Sequence, residues 1–367
     1  MNQPSAPNAA SSRSQFWDLV RGIGILSIVM GHSCHPVIPY VYTYHLAVFF
    51  FVSGYLYNSK KYGRKPFDHV AAKLKSAWPK YIFYMSVYTL LHNLFQHTGI
   101  NSPGSLYNHS YTLMALCNAI VFQGVEPMGG TLWFVPVWIL ACGIFGGIVW
   151  FSFRFLPDLS HGPASLRPAA ITGISSLFGA AGCFFIFRSL PLAYQLHLAF
   201  LVQPFFAAGW LIRCFLPDYR KLLRWYLALP AALVWAFVIR HENLYIDLSL
   251  GRIGNGWQFF LLAFLGIYCC MYLATLLEHS KQIKRLVSLW GQYSFDIMAA
   301  HFLVFKWIDL IYGRFLVNDP LEQYSGFPQA YAGSLWPAYM ILGTTIPALI
   351  GLLLEKGGKK LAKHLPA

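Results

Sequence analysis

The chain contains few charged residues for its length. Asp, Glu, Lys and Arg together make up 11% of its 367 residues, and only 13 of these residues are acidic. Hydrophobic residues account for 57% and aromatic residues for 17%. This composition is typical of a chain embedded in a membrane and argues against a soluble globular domain.

A recognisable cysteine pattern is also missing. The seven cysteines are an odd number, lie mostly in apolar segments and show no metal-ligand spacing, so we assign them no chemistry and expect no metal site. Residues 1–15 are polar and predicted to be disordered. The apolar run after them contains Asp and Arg and lacks a small-residue cleavage site, so we expect no signal peptide.

Long apolar runs are abundant, and they predict an all-α, polytopic membrane protein with about ten transmembrane helices. We predict a transmembrane domain over 16–355 and a basic tail over 356–367. Residues 111–125 are apolar but short, which favours a re-entrant or interfacial segment. The predicted spans are 16–34, 41–58, 78–97, 131–151, 169–187, 195–214, 225–240, 257–278, 291–312 and 334–355.

The positive charge is distributed in a way that argues for membrane topology. The net charge of +14 could indicate nucleic-acid binding, but the basic residues lie in short clusters between apolar runs. Twenty-two of the 27 lysines and arginines fall at the termini or in alternate loops, on one predicted side. The positive-inside rule then places both termini in the cytoplasm, and we expect no nucleic-acid partner.

The first span carries three polar residues that are costly inside a membrane, Asp18, Arg21 and His32. Asp18 and Arg21 are three residues apart, a spacing that favours an ion pair. Arg21 and His32 return to within ~20° of one helical face, roughly 16 Å apart along the axis. In the plainer interpretation, the pair anchors the helix at the membrane boundary and the histidine is simply packed.

A second histidine strengthens the functional interpretation. His45 lies near the start of span two, which runs in the opposite direction to span one. His32 and His45 are therefore predicted at similar depth on neighbouring helices. This arrangement suggests a shared polar cavity.

Four segments, DLVRGIGILSIVMGH, YHLAVFFFVSGYLY, TLWFVPVW and SFDIMAAHFLVF, resemble in order the signature segments of the integral-membrane acyltransferase-3 family. The nearest branch is that of fucose 4-O-acetylase and related acetyltransferases. The resemblance implies about ten membrane helices in a bacterial inner (plasma) membrane. It also implies acyl transfer, usually of acetyl from acetyl-CoA, to a hydroxyl of a cell-envelope glycan or lipid-linked sugar.

The resemblance also implies roles for particular residues. The expected catalytic group comprises His32, His301 and Asp18. The expected donor-binding group comprises Arg21, Lys73 and Lys75, with Ser76 where family members often have a second arginine. The expected acceptor-binding group comprises His45, Ser53 and Trp133, although Trp133 equally suits an aromatic belt at the membrane interface.

These residue types suit the expected chemistry. A hydroxyl needs a positioned base, for which histidine has a suitable pKa, and the phosphates of coenzyme A suit a Lys/Arg cluster. The sequence leaves open whether His32 acts as base or carries the acyl group, and which hydroxyl compound is the acceptor. The alternative from another class is a transporter or flippase for a lipid-linked sugar or acyl group, with intramembrane His, Asp and Arg as a proton relay.

The remaining polar residues give simpler expectations. Lys306 and Asp309 are predicted to pair, because they are three residues apart on one helix. Asp296 is unusual for the family, which normally has an apolar or aromatic residue there. We expect His92, His97 and His109 to lie on the surface.

Overall fold

The computed structural model describes residues 9–33, 36–156 and 166–362, and within them the regular structure is helical apart from one isolated bridge. The α-helices are α1 (Ala9–His32), α2 (Ile38–Val41), α3 (Ala47–Leu56), α4 (Ser59–Tyr62), α5 (Pro66–Thr98), α6 (His109–Ile120), α7 (Phe134–Phe155), α8 (Leu166–Phe187), α9 (Leu196–Leu201), α10 (Gln203–Phe215), α11 (Trp225–His241), α12 (Gly256–Leu277), α13 (Lys281–Gln292), α14 (Ser294–Asp309), α15 (Leu321–Tyr324) and α16 (Ala332–Ala362). Short 3₁₀ segments span Pro127–Trp133, Ala193–Gln195, Tyr219–Leu222 and Leu248–Leu250, and a π-helical segment spans Leu310–Val317.

Several helices are long and apolar enough to cross a membrane. Four segments meet this requirement within the described ranges, and α9 with α10 makes a fifth if this pair, bent by 46°, is one span. The four are Pro127–Phe155, Leu166–Phe187, Gly256–Leu277 and Ala332–Lys359. The protein is therefore a multi-pass helical membrane protein, whereas the ten spans and the cytoplasmic termini stay predictions.

The second predicted span is interrupted rather than continuous. Helix α2 ends at Val41 and α3 begins at Ala47, with turns between them. The carbonyl of Val41 accepts hydrogen bonds from both the backbone N–H of His45 (3.0 Å) and its ring Nδ1 (2.8 Å). The break therefore lies where this histidine side chain binds the backbone one turn before it.

Other boundaries also differ from the predicted spans. The segment predicted at 195–214 bends at Val202, two residues before Pro204, which lacks a backbone N–H. The segment predicted at 291–312 begins at the junction of α13 and α14 and ends in the π-helical segment. Residues 111–125 contain only the 12-residue helix α6, so their re-entrant or interfacial placement stays a prediction.

The predicted disordered N-terminus and the predicted basic tail both overlap helices. Helix α1 begins at Ala9, well inside the segment predicted to be disordered over 1–15, and α16 continues to Ala362 in the predicted tail. Residues 1–8 and 363–367 lie outside the described residues.

Helix α1 lies at the centre of the fold, where it contacts α3, α12, α13, α14 and α16. Its crossing with α13 is tight enough to require glycine on both helices. A Cβ on Gly22 would lie 2.0 Å from the carbonyl oxygen of Val287, and one on Gly291 would lie 1.8 Å from that of Asp18. Close approach through small residues is the usual way in which membrane helices pack. As a result, one end of α1 lies against α13, and residues further along it contact α14.

Candidate functional site

The predicted histidines of α1 and α14 meet in the structure. His32 is the last residue of α1, and His301 is fully buried in the middle of α14. Nδ1 of His32 lies 3.1 Å from Nε2 of His301, within hydrogen-bond distance, and the ring centroids are 5.1 Å apart. Phe302 packs edge-on against the His32 ring, also at 5.1 Å. Two histidines 269 positions apart thus form one polar pair inside the fold.

The surrounding hydrogen bonds determine how protons are arranged on this pair. Nδ1 of His301 lies 2.9 Å from the carbonyl oxygen of Ile297. A carbonyl oxygen only accepts, so we assign a proton to that nitrogen, which leaves Nε2 of a neutral His301 as an acceptor. Nδ1–H of His32 then donates to it. In this tautomer, Nε2 of His32 carries a lone pair and is the nitrogen that can take up a proton.

His32 and His45 line the same small cavity, as their predicted depth suggested. Its volume is about 40 Å³, enough for a few water-sized groups. Trp133 also lines it, together with residues that the sequence did not single out, Tyr42, Thr131, Asp247 and Ser249. We call this space the histidine cavity.

A larger cavity of about 370 Å³ contains the predicted donor residues Arg21 and Lys73. Lys80 lines it as well, so three basic side chains from α1 and α5 share one space. Apolar side chains and Trp138 form much of the remaining wall. We call this space the basic cavity.

A carboxylate or an aromatic ring lies next to each of these basic side chains. Arg21 forms the predicted ion pair with Asp18, whose other oxygen accepts from Nε2 of Gln292 at 3.2 Å. Nζ of Lys73 lies 5.2 Å from the centroid of the Trp138 ring. All three remain at least partly accessible: the Arg21 side chain is 32% exposed, Lys73 is half-buried and Lys80 is exposed.

Lys80 is held by the carboxylate of Asp296. Its Nζ lies 2.8 Å from Oδ2 of Asp296, and the hydroxyl of Tyr84 donates to Oδ1 of the same carboxylate at 3.0 Å. The Asp296 side chain is only 3% exposed, whereas that of Lys80 is 46% exposed. The buried carboxylate therefore anchors a cation that stays accessible from the cavity.

The two cavities are neighbours. Ile28, Phe134 and Met298 line both of them. Along α1, Arg21 faces the basic cavity, Ile28 lies at the boundary, and His32 lines the histidine cavity. A larger cavity of about 980 Å³ lies elsewhere; its lining is largely apolar and includes none of the predicted site residues.

Three of the predicted site residues lie apart from the group to which the sequence assigned them. Lys75 is exposed and lines neither cavity, because it follows Lys73 by two residues and so projects about 200° away around the helix. Ser53 lies in the basic cavity, not with His45 and Trp133, and accepts a hydrogen bond from Nε1 of Trp138 at 2.9 Å. Asp18 forms the predicted pair with Arg21 but lines neither cavity, and so it lies apart from the other expected catalytic residues, His32 and His301.

The other polar predictions had mixed outcomes. The Lys306–Asp309 pair is confirmed, with Nζ to Oδ2 at 2.8 Å and both side chains fully buried. The exposure of His97 and His109 is confirmed as well. The prediction for His92 was wrong: it is buried, with Nδ1 3.1 Å from a carboxylate oxygen of Glu126.

Part of what was missed had a signal in the sequence. Lys80 follows Lys73 by seven residues, which is two helical turns, so helical periodicity would have favoured it over Lys75. Asp247 had no comparable signal, because it lies in a loop whose path depends on tertiary contacts. Within the described residues, no cluster of three or more His, Cys, Asp or Glu side chains could hold a metal ion.

An all-helical protein with apolar helices of spanning length around a buried polar pair is a multi-pass membrane protein with an internal site. Residues 14–355 match the acyltransferase-3 family model, which is described as an acyltransferase domain. Because the match covers most of the chain, the protein belongs to this family and is a membrane acyltransferase. No curated protein and no solved structure matches the chain.

Proposed function

We propose that the protein is an acyl-CoA-dependent O-acyltransferase of the bacterial inner membrane, with both termini in the cytoplasm. It transfers an acyl group, in our proposal acetyl from acetyl-CoA, to a hydroxyl of a cell-envelope glycan or lipid-linked sugar, as in the fucose 4-O-acetylase branch. The observation that carries this proposal is the His32–His301 pair, with His32 lining a small polar cavity that adjoins a larger basic one.

The basic cavity has the chemistry expected of a donor site. Coenzyme A carries phosphates, and Arg21, Lys73 and Lys80 offer three positive charges from two helices. Its volume is within the usual range for small-molecule sites. The pantetheine arm would extend along α1 past Ile28 toward His32, a rise of roughly 16 Å from Arg21. In this proposal Asp18 and Asp296 position the cations and do not touch the reacting atoms.

The histidine pair can perform the proton transfer. As the acceptor oxygen attacks the thioester carbonyl carbon, its proton moves to Nε2 of His32. His301 accepts a hydrogen bond from the opposite nitrogen, so it holds the ring and stabilises the imidazolium. When the carbon–sulfur bond breaks, the same proton passes to the departing CoA sulfur. His45 and Trp133 are proposed to contact the acceptor.

The same nitrogen of His32 could instead carry the acyl group, and the two routes are separable by experiment. Direct transfer requires both substrates at once and leaves no acylated protein. An acyl-histidine would appear on the protein when acetyl-CoA is added without acceptor, with a burst of released CoA equal to the enzyme. We propose direct transfer, since one base in a cavity that adjoins the proposed donor site is sufficient for it.

The function is tested by incubating membranes that contain the protein with radiolabelled acetyl-CoA. We expect free CoA to be released and the label to enter a glycan or lipid-linked fraction, in amounts that depend on the protein. Movement of a lipid-linked sugar across the membrane with no release of CoA would contradict the proposal and favour the transporter alternative.

A further inference from the structure

Asp247 lines the histidine cavity but is absent from the residues that the sequence suggested. It begins a tight turn in which its backbone N–H donates to the carbonyl of Arg252 at 2.7 Å, and Arg252 donates back at 2.8 Å. Gly251 permits this turn with a φ of +64°. These two backbone hydrogen bonds fix the position of the Asp247 backbone, and with it the point from which the carboxylate extends.

The two oxygens of this carboxylate have unequal surroundings. Oδ1 accepts from the backbone N–H of Ser249 (2.9 Å), its hydroxyl (2.6 Å) and the backbone N–H of Leu250 (3.4 Å). Oδ2 accepts only from the hydroxyl of Tyr245, at a long 3.3 Å, among the described residues. Capping of the turn thus uses one oxygen, and the other retains acceptor capacity although the residue is only 9% exposed.

The Asp247 carboxylate has no ion-pair partner among the described residues. Within the described ranges no lysine, arginine or histidine forms an ion pair with Asp247. His45 interacts with it electrostatically and lines the same cavity, and no hydrogen bond joins the two side chains. Nδ1 of His45 binds the Val41 carbonyl, so its Nε2 is also an acceptor. The cavity therefore presents three hydrogen-bond acceptors, on His32, His45 and Asp247.

A cavity with several acceptors is complementary to a ligand with several O–H donors. We propose that Oδ2 of Asp247 binds a second hydroxyl of the acceptor, next to the hydroxyl that is acylated at His32. This inference rests on the proposed function and deepens it. The acceptor then carries at least two neighbouring hydroxyls: one is acylated at His32, and the other is bound by Asp247 without reacting. The cavity, at about 40 Å³, admits such a hydroxyl-bearing edge of a sugar.

The test compares three small acceptors that differ only in their hydroxyls: cyclohexanol, cis-1,2-cyclohexanediol and trans-1,2-cyclohexanediol. CoA release from acetyl-CoA is measured with the full-length protein in membranes. We expect the better diol to exceed cyclohexanol by about tenfold or more in kcat/KM, beyond the factor of two expected from having two reactive hydroxyls. A hydrogen bond to a charged group supports an effect of this size.

Asp247→Asn separates recognition from the structural role of the residue. The three donors at Oδ1 orient the amide oxygen toward the turn, so the cap is retained while the second position becomes an NH₂ group. We expect the diol preference to fall about tenfold, with the KM for acetyl-CoA unchanged. Tyr245→Phe is the matched control, because it removes the other donor to Oδ2 and should keep the preference.

Each outcome bears on a different claim. Equal kcat/KM for cyclohexanol and both diols, or an Asp247→Asn variant with an intact diol preference, would overturn the role of Asp247. The same holds if membranes consume acetyl-CoA with their own acceptor but acylate none of the three alcohols. A protein that releases no CoA with any acceptor contradicts the proposed function itself.

Discussion

The hydrogen bond between the two histidines allows a quantitative prediction. In a His301→Ala variant, Nδ1–H of His32 loses its acceptor in a site packed by Phe302. A hydrogen bond to a charged group contributes about 1.5–3 kcal/mol, and this bond involves a charge only once His32 has taken up the proton. The expected loss is therefore roughly 10- to 150-fold in kcat, with little change in the KM for acetyl-CoA.

The assay for this prediction is steady-state CoA release by membranes with equal amounts of inserted protein. His301→Gln provides the conservative comparison, because its amide oxygen can accept from His32, and it should recover part of the lost kcat. His97→Ala replaces an exposed histidine and should match the parent. If His301→Ala retains the parental kcat, or raises KM alone, the pair does not act as we have argued.

Two further predictions concern the donor site and the orientation. Lys80→Met should raise the KM for acetyl-CoA several-fold in a salt-dependent manner. The matched Lys75→Met should leave this KM unchanged, because Lys80 lines the basic cavity and Lys75 does not. Equal effects of the two changes would contradict this assignment. In a background without native cysteines, a single cysteine at the exposed Lys65 should be protected from an impermeant thiol reagent in intact cells, and one at the exposed Ser105 should react. The opposite labelling would reverse the predicted orientation.

Periodic features of the sequence predicted the polar framework of the site. The eleven-residue interval between Arg21 and His32 placed both on one side of α1, and the structure has one in each of two adjoining cavities. The three-residue intervals predicted both the Asp18–Arg21 and Lys306–Asp309 pairs. Such intervals are informative because a helix fixes the angle between its residues regardless of what surrounds it.

Helical spacing could not predict contacts between residues that are far apart in the sequence. The Lys80–Asp296 pair joins residues 216 positions apart, and nothing local to either residue indicates the other. The sequence near His92 offers no oppositely charged residue at helical spacing, yet His92 is buried against Glu126, 34 positions later. The break between α2 and α3 was not predicted either. Hydropathy shows that the segment is apolar, but it gives no information about the hydrogen bond between the His45 side chain and the Val41 carbonyl.

The central claim is that His32 accepts the proton of the attacking hydroxyl. The most direct measurement is acyl transfer by a His32→Ala variant, with His109→Ala as the matched exposed control. Insertion is verified by the amount of protein in the membrane, and folding by whether acetyl-CoA still raises its thermal stability. We predict that the variant is inserted and binds acetyl-CoA. Its rate of acyl transfer should be lower than that of the parent by a factor of about 10² or more. Transfer at a near-parental rate by an inserted, donor-binding His32→Ala protein would contradict the account.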